Sequence, residues 1–149
     1  PIAGVVAREE VLERFAREAR YFNTFGGNPV ACAAATAVLD ILRDEDLQAN
    51  ASKVGAHMKA GFEALAKRHA AIGDVRGQGL FLGVDVLDPE GVPSPRTASD
   101  LVNALRRRRV LISASGPLGH VLKIRPPLPF SIADADELLQ VCDEVLATL

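Results

Sequence analysis

The sequence predicts a mixed α/β chain in two parts. The first is the end of one domain followed by a long connecting helix. The second is a compact α+β unit of short antiparallel strands covered by helices. Three observations carry this. Apolar residues between Pro29 and Leu65 recur at spacings of three and four, a helical period. At Ala70-Ala71-Ile72-Gly73 the texture changes, and short β-rich runs then alternate with helical stretches. Clusters of Gly and Pro punctuate the second part at the intervals that hairpins and caps need.

In order along the chain, Ile2 to Ala7 reads as a buried strand. Arg8 to Arg20 reads as a short helix with Val11, Leu12, Phe15 and Ala19 on one face. The stretch "YFNTFGGNPVACAAATAVLD" places Asn28 as an N-cap and Pro29 at the first helical position. The helix that follows has a broad face built largely of Ala, which lets a neighbour pack close to the backbone. Arg43-Asp44-Glu45-Asp46 marks a break, and a second helical stripe runs from Leu47 through Val54, Met58 and Phe62 to Leu65.

Asp74 to Arg76 and Leu80 to Val86 read as strands around Gly77-Gln78-Gly79. "DPEGVPSPRT" is a loop, and Thr97 to Arg109 a helix with Thr97 as its cap and Asp100 three residues on. Val110 to Ser113 and Val121 to Arg125 read as strands around "ASGPLGH". Pro126, Pro127 and Pro129 stop the second of them. Ser131 then caps a last helix with Leu138, Leu139, Cys142, Val145, Leu146 and Leu149 on its apolar positions.

The composition excludes several classes of function. The chain has 149 residues, 48% hydrophobic and 24% charged, enough to bury a core. A net charge of −2 argues against a nucleic-acid or membrane-surface binder. No apolar run reaches the roughly 18 residues that span a bilayer. Cys32 and Cys142 stand in no metal-ligand spacing and read as small core residues of a reducing compartment, with the cytoplasm as the default. The chain opens on an apparent core strand without Met, which reads as a piece of a longer protein.

Two places carry candidate chemistry. The loop Asn23-Thr24-Phe25-Gly26-Gly27 stands directly before a helix N-terminus. There a hydroxyl and free backbone N–H groups suit an anion, although a plain capped turn fits the same spacing. Arg125 stands at the end of a strand before two prolines, which suits bidentate recognition of a carboxylate or phosphate and equally a structural ion pair. The remaining clusters are weaker. Gly77-Gln78-Gly79 with Gly83 misses the dinucleotide spacing and leads into a strand, so it reads as a hairpin or bulge. Arg106 to Arg109 reads as a solvated helix end. His57, His69 and His120 stand in no spacing for zinc or a triad.

Taken together, "PIAGVVAREEVLERF", "YFNTFGGNPVACAAATAVLDIL", "VRGQGLFLGVDV" and "VLKIRPPLPFS" resemble the C-terminal part of class III pyridoxal-phosphate aminotransferases of fold type I. "SASGP" followed by "VLKIRPPL" is most similar to the branch holding alanine–glyoxylate aminotransferase 2 and ethanolamine-phosphate phospho-lyase. The resemblance implies a remnant of the cofactor-binding large domain over residues 1–28, a connecting helical segment over 29–70 and a C-terminal small domain over 71–149.

It also implies pyridoxal 5'-phosphate as cofactor, with Asn23 and Thr24 as cofactor-binding residues. Thr24 would reach the phosphate held by the other subunit of a homodimer. Arg125 matches the residue that pairs with the substrate carboxylate, although ethanolamine phosphate has no carboxylate to pair with. The implied function is transfer of an amino group between an amine or amino acid and an oxo acid. The alternatives are a phospho-lyase acting on an amino-alcohol phosphate and a non-catalytic dimerisation domain. No metal, nucleic acid or membrane enters this reading.

One feature of the family is missing. Lys53, Lys59, Lys67 and Lys123 are the only lysines, and none matches the Schiff-base lysine, which is expected upstream of Pro1. No catalytic residue is therefore assigned. The chain alone is expected to be inactive and not to hold the cofactor.

Overall fold

The computed structural model describes residues 2–148. It divides into two compact units, Pro1–Glu45 and Asp46–Leu149.

The first unit holds α1 (Glu9–Glu18) and α2 (Pro29–Asp44), and neither helix buries a residue. On α1, Arg14 pairs with Glu18 at 3.0 Å and Arg17 pairs with Glu13, both at the one-turn spacing that supports an exposed helix. The strand expected over Ile2 to Ala7 is absent, and these residues carry no regular secondary structure. A strand exists only through a hydrogen-bonded neighbour, and no described segment supplies one. Cys32 also departs from expectation. It is half-exposed, because this unit has no core to receive it.

The second unit opens on α3 (Leu47–Ala66), after the break expected near Arg43 to Asp46. A hairpin of β1 (Ile72–Gln78) and β2 (Phe81–Val86) follows. Then come α4 (Pro95–Arg107), β3 (Ser113–Ser115), β4 (Val121–Ile124) and α5 (Ile132–Leu146). The sheet order is β1-β2-β4-β3, antiparallel throughout. Alternation along β2 turns Leu82, Val84 and Val86 into the core and leaves Gly83 and Asp85 on the other face. Leu122 and Ile124 of β4 join that core.

The helices close over the same apolar face. Val54, Met58 and Phe62 come from α3, Leu101 and Leu105 from α4, and Leu138 and Cys142 from α5. Within this unit α3 packs on β1 and on α5. Two contacts fasten α5 to α3 and the turn after it. His57 Nε2 lies 2.6 Å from Asp136 Oδ1, and His69 Nε2 lies 2.6 Å from Asp143 Oδ1.

Local signals explain most boundaries, and two expectations need correction. The cap of α4 is Ser94 rather than Thr97. Ser94 Oγ accepts from the Thr97 N–H at 3.2 Å, and Pro95 takes the first helical position. The third strand begins at Ser113, not Val110. Arg109, at φ 67°, donates its N–H to Arg106, and Val110 donates to Leu105, which closes the end of α4 in a Schellman pattern. Val110 is thus spent on the helix, and the ladder to β4 starts only where Ser113 meets Lys123. Arg125 lies one residue beyond β4.

The expected start of α5 is found as a reciprocal capping box. Ser131 Oγ accepts from the Asp134 N–H, and Asp134 Oδ2 accepts from the Ser131 N–H at 2.8 Å. Leu149 lies outside the described residues.

Candidate functional site

The loop before α2 is built by two asparagines. Asn23 Oδ1 accepts from the N–H groups of Phe25 at 3.2 Å and Gly26 at 3.0 Å, an Asx turn that folds the chain back over Thr24. A Cβ on Gly26 would stand 3.1 Å from Asn23 Cγ, so the turn is shaped around the carboxamide. Gly27 has φ +70°, a conformation that costs glycine little and other residues more. Asn28 Nδ2 donates to the Phe25 carbonyl at 2.9 Å, and its Oδ1 accepts from the Ala31 N–H at 3.0 Å. One side chain thereby ties the loop to the first turn of the helix.

What remains unengaged defines the chemistry. Thr24 is exposed, and its hydroxyl has no hydrogen-bond partner among the described residues. The N–H groups of Thr24, Gly27 and Val30 are equally without protein partners among them. A hydroxyl and several N–H donors at the positive end of a helix form a donor set that fits a phosphate group. Asn23, expected to bind the cofactor, has its oxygen committed to the turn, and only its NH2 is left to donate.

Arg125 sits in the second unit. It is exposed and makes no ion pair or hydrogen bond among the described residues. It lines an open cleft of about 580 Å³ together with Val110, Ile112, Lys123, Phe130 and Glu137. The cleft lies where the chain before Ser113 and the chain after Ile124 have left the β3–β4 ladder. Asn50 of α3 holds the loop beyond it, with Nδ2 donating to the carbonyls of Leu128 at 2.8 Å and Phe130 at 3.0 Å. Sequence reasoning did not find Asn50, because its partners are 78 and 80 residues away. Arg109 also faces this cleft. Its left-handed conformation carries no sequence signal, since that position usually holds Gly.

Several other reactive groups are occupied or shielded. Burial pushes the Cys142 thiol up to about 12, which leaves it without nucleophilic character. Arg76 is held protonated by hydrogen bonds first to Asp85 and then to Asp74. His120, directly before β4, is buried, with Nε2 3.7 Å from Asp85 Oδ1. Lys53 and Lys67 are exposed, and Lys59 and Lys123 half-buried. No group of three or more potential metal ligands occurs among the described residues. No helix among them is long and apolar enough to cross a membrane.

Comparison with known proteins places the chain in a family. The sequence profile of Aminotransferase class-III matches residues 1–146. The chain is 41% identical to alanine–glyoxylate aminotransferase 2 homolog 2, mitochondrial, of Arabidopsis thaliana, over 96% of this chain and 30% of that protein. Among solved structures, a phospholyase from Arthrobacter in complex with phosphoethanolamine superposes with a TM-score of 0.86. It has 44% identity and covers 94% of this chain and 34% of the other. An amine transaminase from an uncultivated Pseudomonas species, solved in its PLP-bound form, gives a TM-score of 0.78 at 33% identity, over 90% of this chain and 31% of its own. The chain spans about a third of the length of the curated relatives it matches. It belongs to the class III aminotransferase family.

Proposed function

We propose that this chain is the C-terminal part of a pyridoxal-phosphate-dependent transaminase that moves an amino group between an amine or amino acid and an oxo acid. The observation that carries the reading is the exposed guanidinium of Arg125, without an ion pair among the described residues, lining an open cleft. An arginine with no internal partner is available to a carboxylate, and its planar fork sets that carboxylate's orientation. When bound, pyridoxal phosphate supplies the electron sink that withdraws charge from the substrate's α-carbon. The chain's own part is to grip. Arg125 orients the substrate carboxylate, while Thr24, with Asn23 beside it, donates to the cofactor phosphate of the other subunit in a homodimer. The Schiff-base lysine is assigned upstream of Pro1. Two cysteines without a disulfide support a reducing compartment, and we assign the cytoplasm.

A second reading has its own support. The 44% identity to a phospholyase bound to phosphoethanolamine favours elimination of phosphate from an amino-alcohol phosphate. Steady-state assay of the full-length protein separates the two. Amino-group transfer that consumes an oxo acid is expected. Phosphate release from phosphoethanolamine without oxo-acid consumption would establish the lyase instead. The third reading, a non-catalytic dimerisation domain, would follow from an upstream sequence that lacks the lysine.

A further inference from the structure

We propose that Asn28 is a positioning residue for the cofactor phosphate, acting through Thr24. The inference rests on the reading that Thr24 donates to that phosphate, and it gives Asn28 a role beyond capping α2. The carboxamide of Asn28 makes two bonds in opposite senses. Its NH2 holds the Phe25 carbonyl at 2.9 Å, and its oxygen holds the Ala31 N–H at 3.0 Å. Phe25 follows Thr24 directly, and Ala31 lies in the first turn of α2. The side chain therefore sets the Thr24 hydroxyl relative to the helix N–H groups that would share one anion with it.

Asn23 completes the loop from the other side, with its oxygen on the Phe25 and Gly26 N–H groups. Those two donors are thereby withdrawn, and the donors left to the anion include the Thr24 hydroxyl, the Asn23 NH2 and the N–H groups of Thr24, Gly27, Asn28 and Val30. A cap needs only an acceptor, which Ser, Thr or Asp supplies equally well. The donor half of the carboxamide is what a cap does not require, and it is spent on the loop that carries Thr24.

That asymmetry gives the test. In the full-length protein, Asn28→Ser keeps a capping oxygen and removes the bond to Phe25. Equilibrium titration of the apoprotein with pyridoxal 5'-phosphate and with dephosphorylated pyridoxal, read by absorbance, separates positioning from structure. Asn28→Ser is expected to weaken the phosphorylated ligand roughly tenfold, the size of one lost positioning hydrogen bond. Binding of dephosphorylated pyridoxal and the thermal midpoint of the apoprotein should stay unchanged. The double variant Thr24→Ala/Asn28→Ser should bind no more weakly than Thr24→Ala alone, because both substitutions remove one interaction. Equal loss for both ligands, no loss for either, or full additivity in the double variant would overturn the role of Asn28. If Thr24→Ala itself shows no phosphate-specific loss, the underlying assignment of Thr24 fails, and the role of Asn28 fails with it.

Discussion

A Cβ on Gly55 would stand 2.0 Å from the carbonyl oxygen of Gly79, so α3 meets the β1–β2 turn backbone to backbone. Gly55 is buried, and no side chain intervenes at this crossing. The hairpin that begins the sheet is thus set directly against the helix that covers it. Gly55→Ala should destabilise the second unit by about 1–3 kcal/mol, since a methyl group there forces helix and turn apart. Urea unfolding followed by circular dichroism checks it, and an unchanged midpoint would mean that the turn moves aside without cost.

Arg125 offers a kinetic prediction. In the full-length protein, Arg125→Ala should weaken binding of carboxylate substrates and their transition states by about 2–5 kcal/mol. Arg125→Lys should recover little of it, because a point charge cannot reproduce the planar fork. Unchanged kcat/KM in the Ala variant towards every carboxylate substrate would leave Arg125 without a role in substrate binding.

Thr24 tests the dimer. Thr24→Ala should weaken cofactor affinity by about 1–3 kcal/mol while the fold persists. In mixed dimers containing one variant subunit, the loss should appear in the site of the unsubstituted partner. A defect confined to the variant's own site would rule out donation across subunits.

The second unit should lose stability in acid through α5. Hydrogen bonds from His69 and then Arg68 hold the Asp143 carboxyl below its ordinary 3.8. Gln140 and then Arg108 lower Glu144, and Ser131 lowers Asp134. A depressed folded-state pKa means that the unfolded chain takes up protons at higher pH. Stability is therefore complete above the ordinary carboxylate range and falls as pH drops through the lowered values. Urea midpoints measured from about pH 7 down to about pH 3 should fall at the acid end, and Asp143→Asn should make that fall shallower. An acid limb of unchanged slope in the Asn variant would exclude Asp143 as a contributor.

The sequence by itself determined the features whose causes lie within a turn of helix. Asn28 with Pro29 starts α2, and Ser131 with Asp134 starts α5, because a cap bonds three residues on. Even the misplaced start of α4 was local, since Ser94-Pro95 is as strong a signal as Thr97 and simply stands earlier. The turn of the hairpin and the stripe of α3 were readable for the same reason, and so was the exposed Thr24 loop. Tertiary structure decided whatever needed a distant partner. Ile2 to Ala7 has the pattern of a strand but finds no neighbour to pair with among the described residues. The third strand waits until Ser113 because Val110 is used to close α4. Asn50 reaches the loop beyond Arg125, and Arg125 itself lines a cleft that only the folded chain assembles. Hydrogen bonds of helix caps join neighbours in sequence, whereas ladders, ion pairs and clefts join residues that only the folded chain brings together.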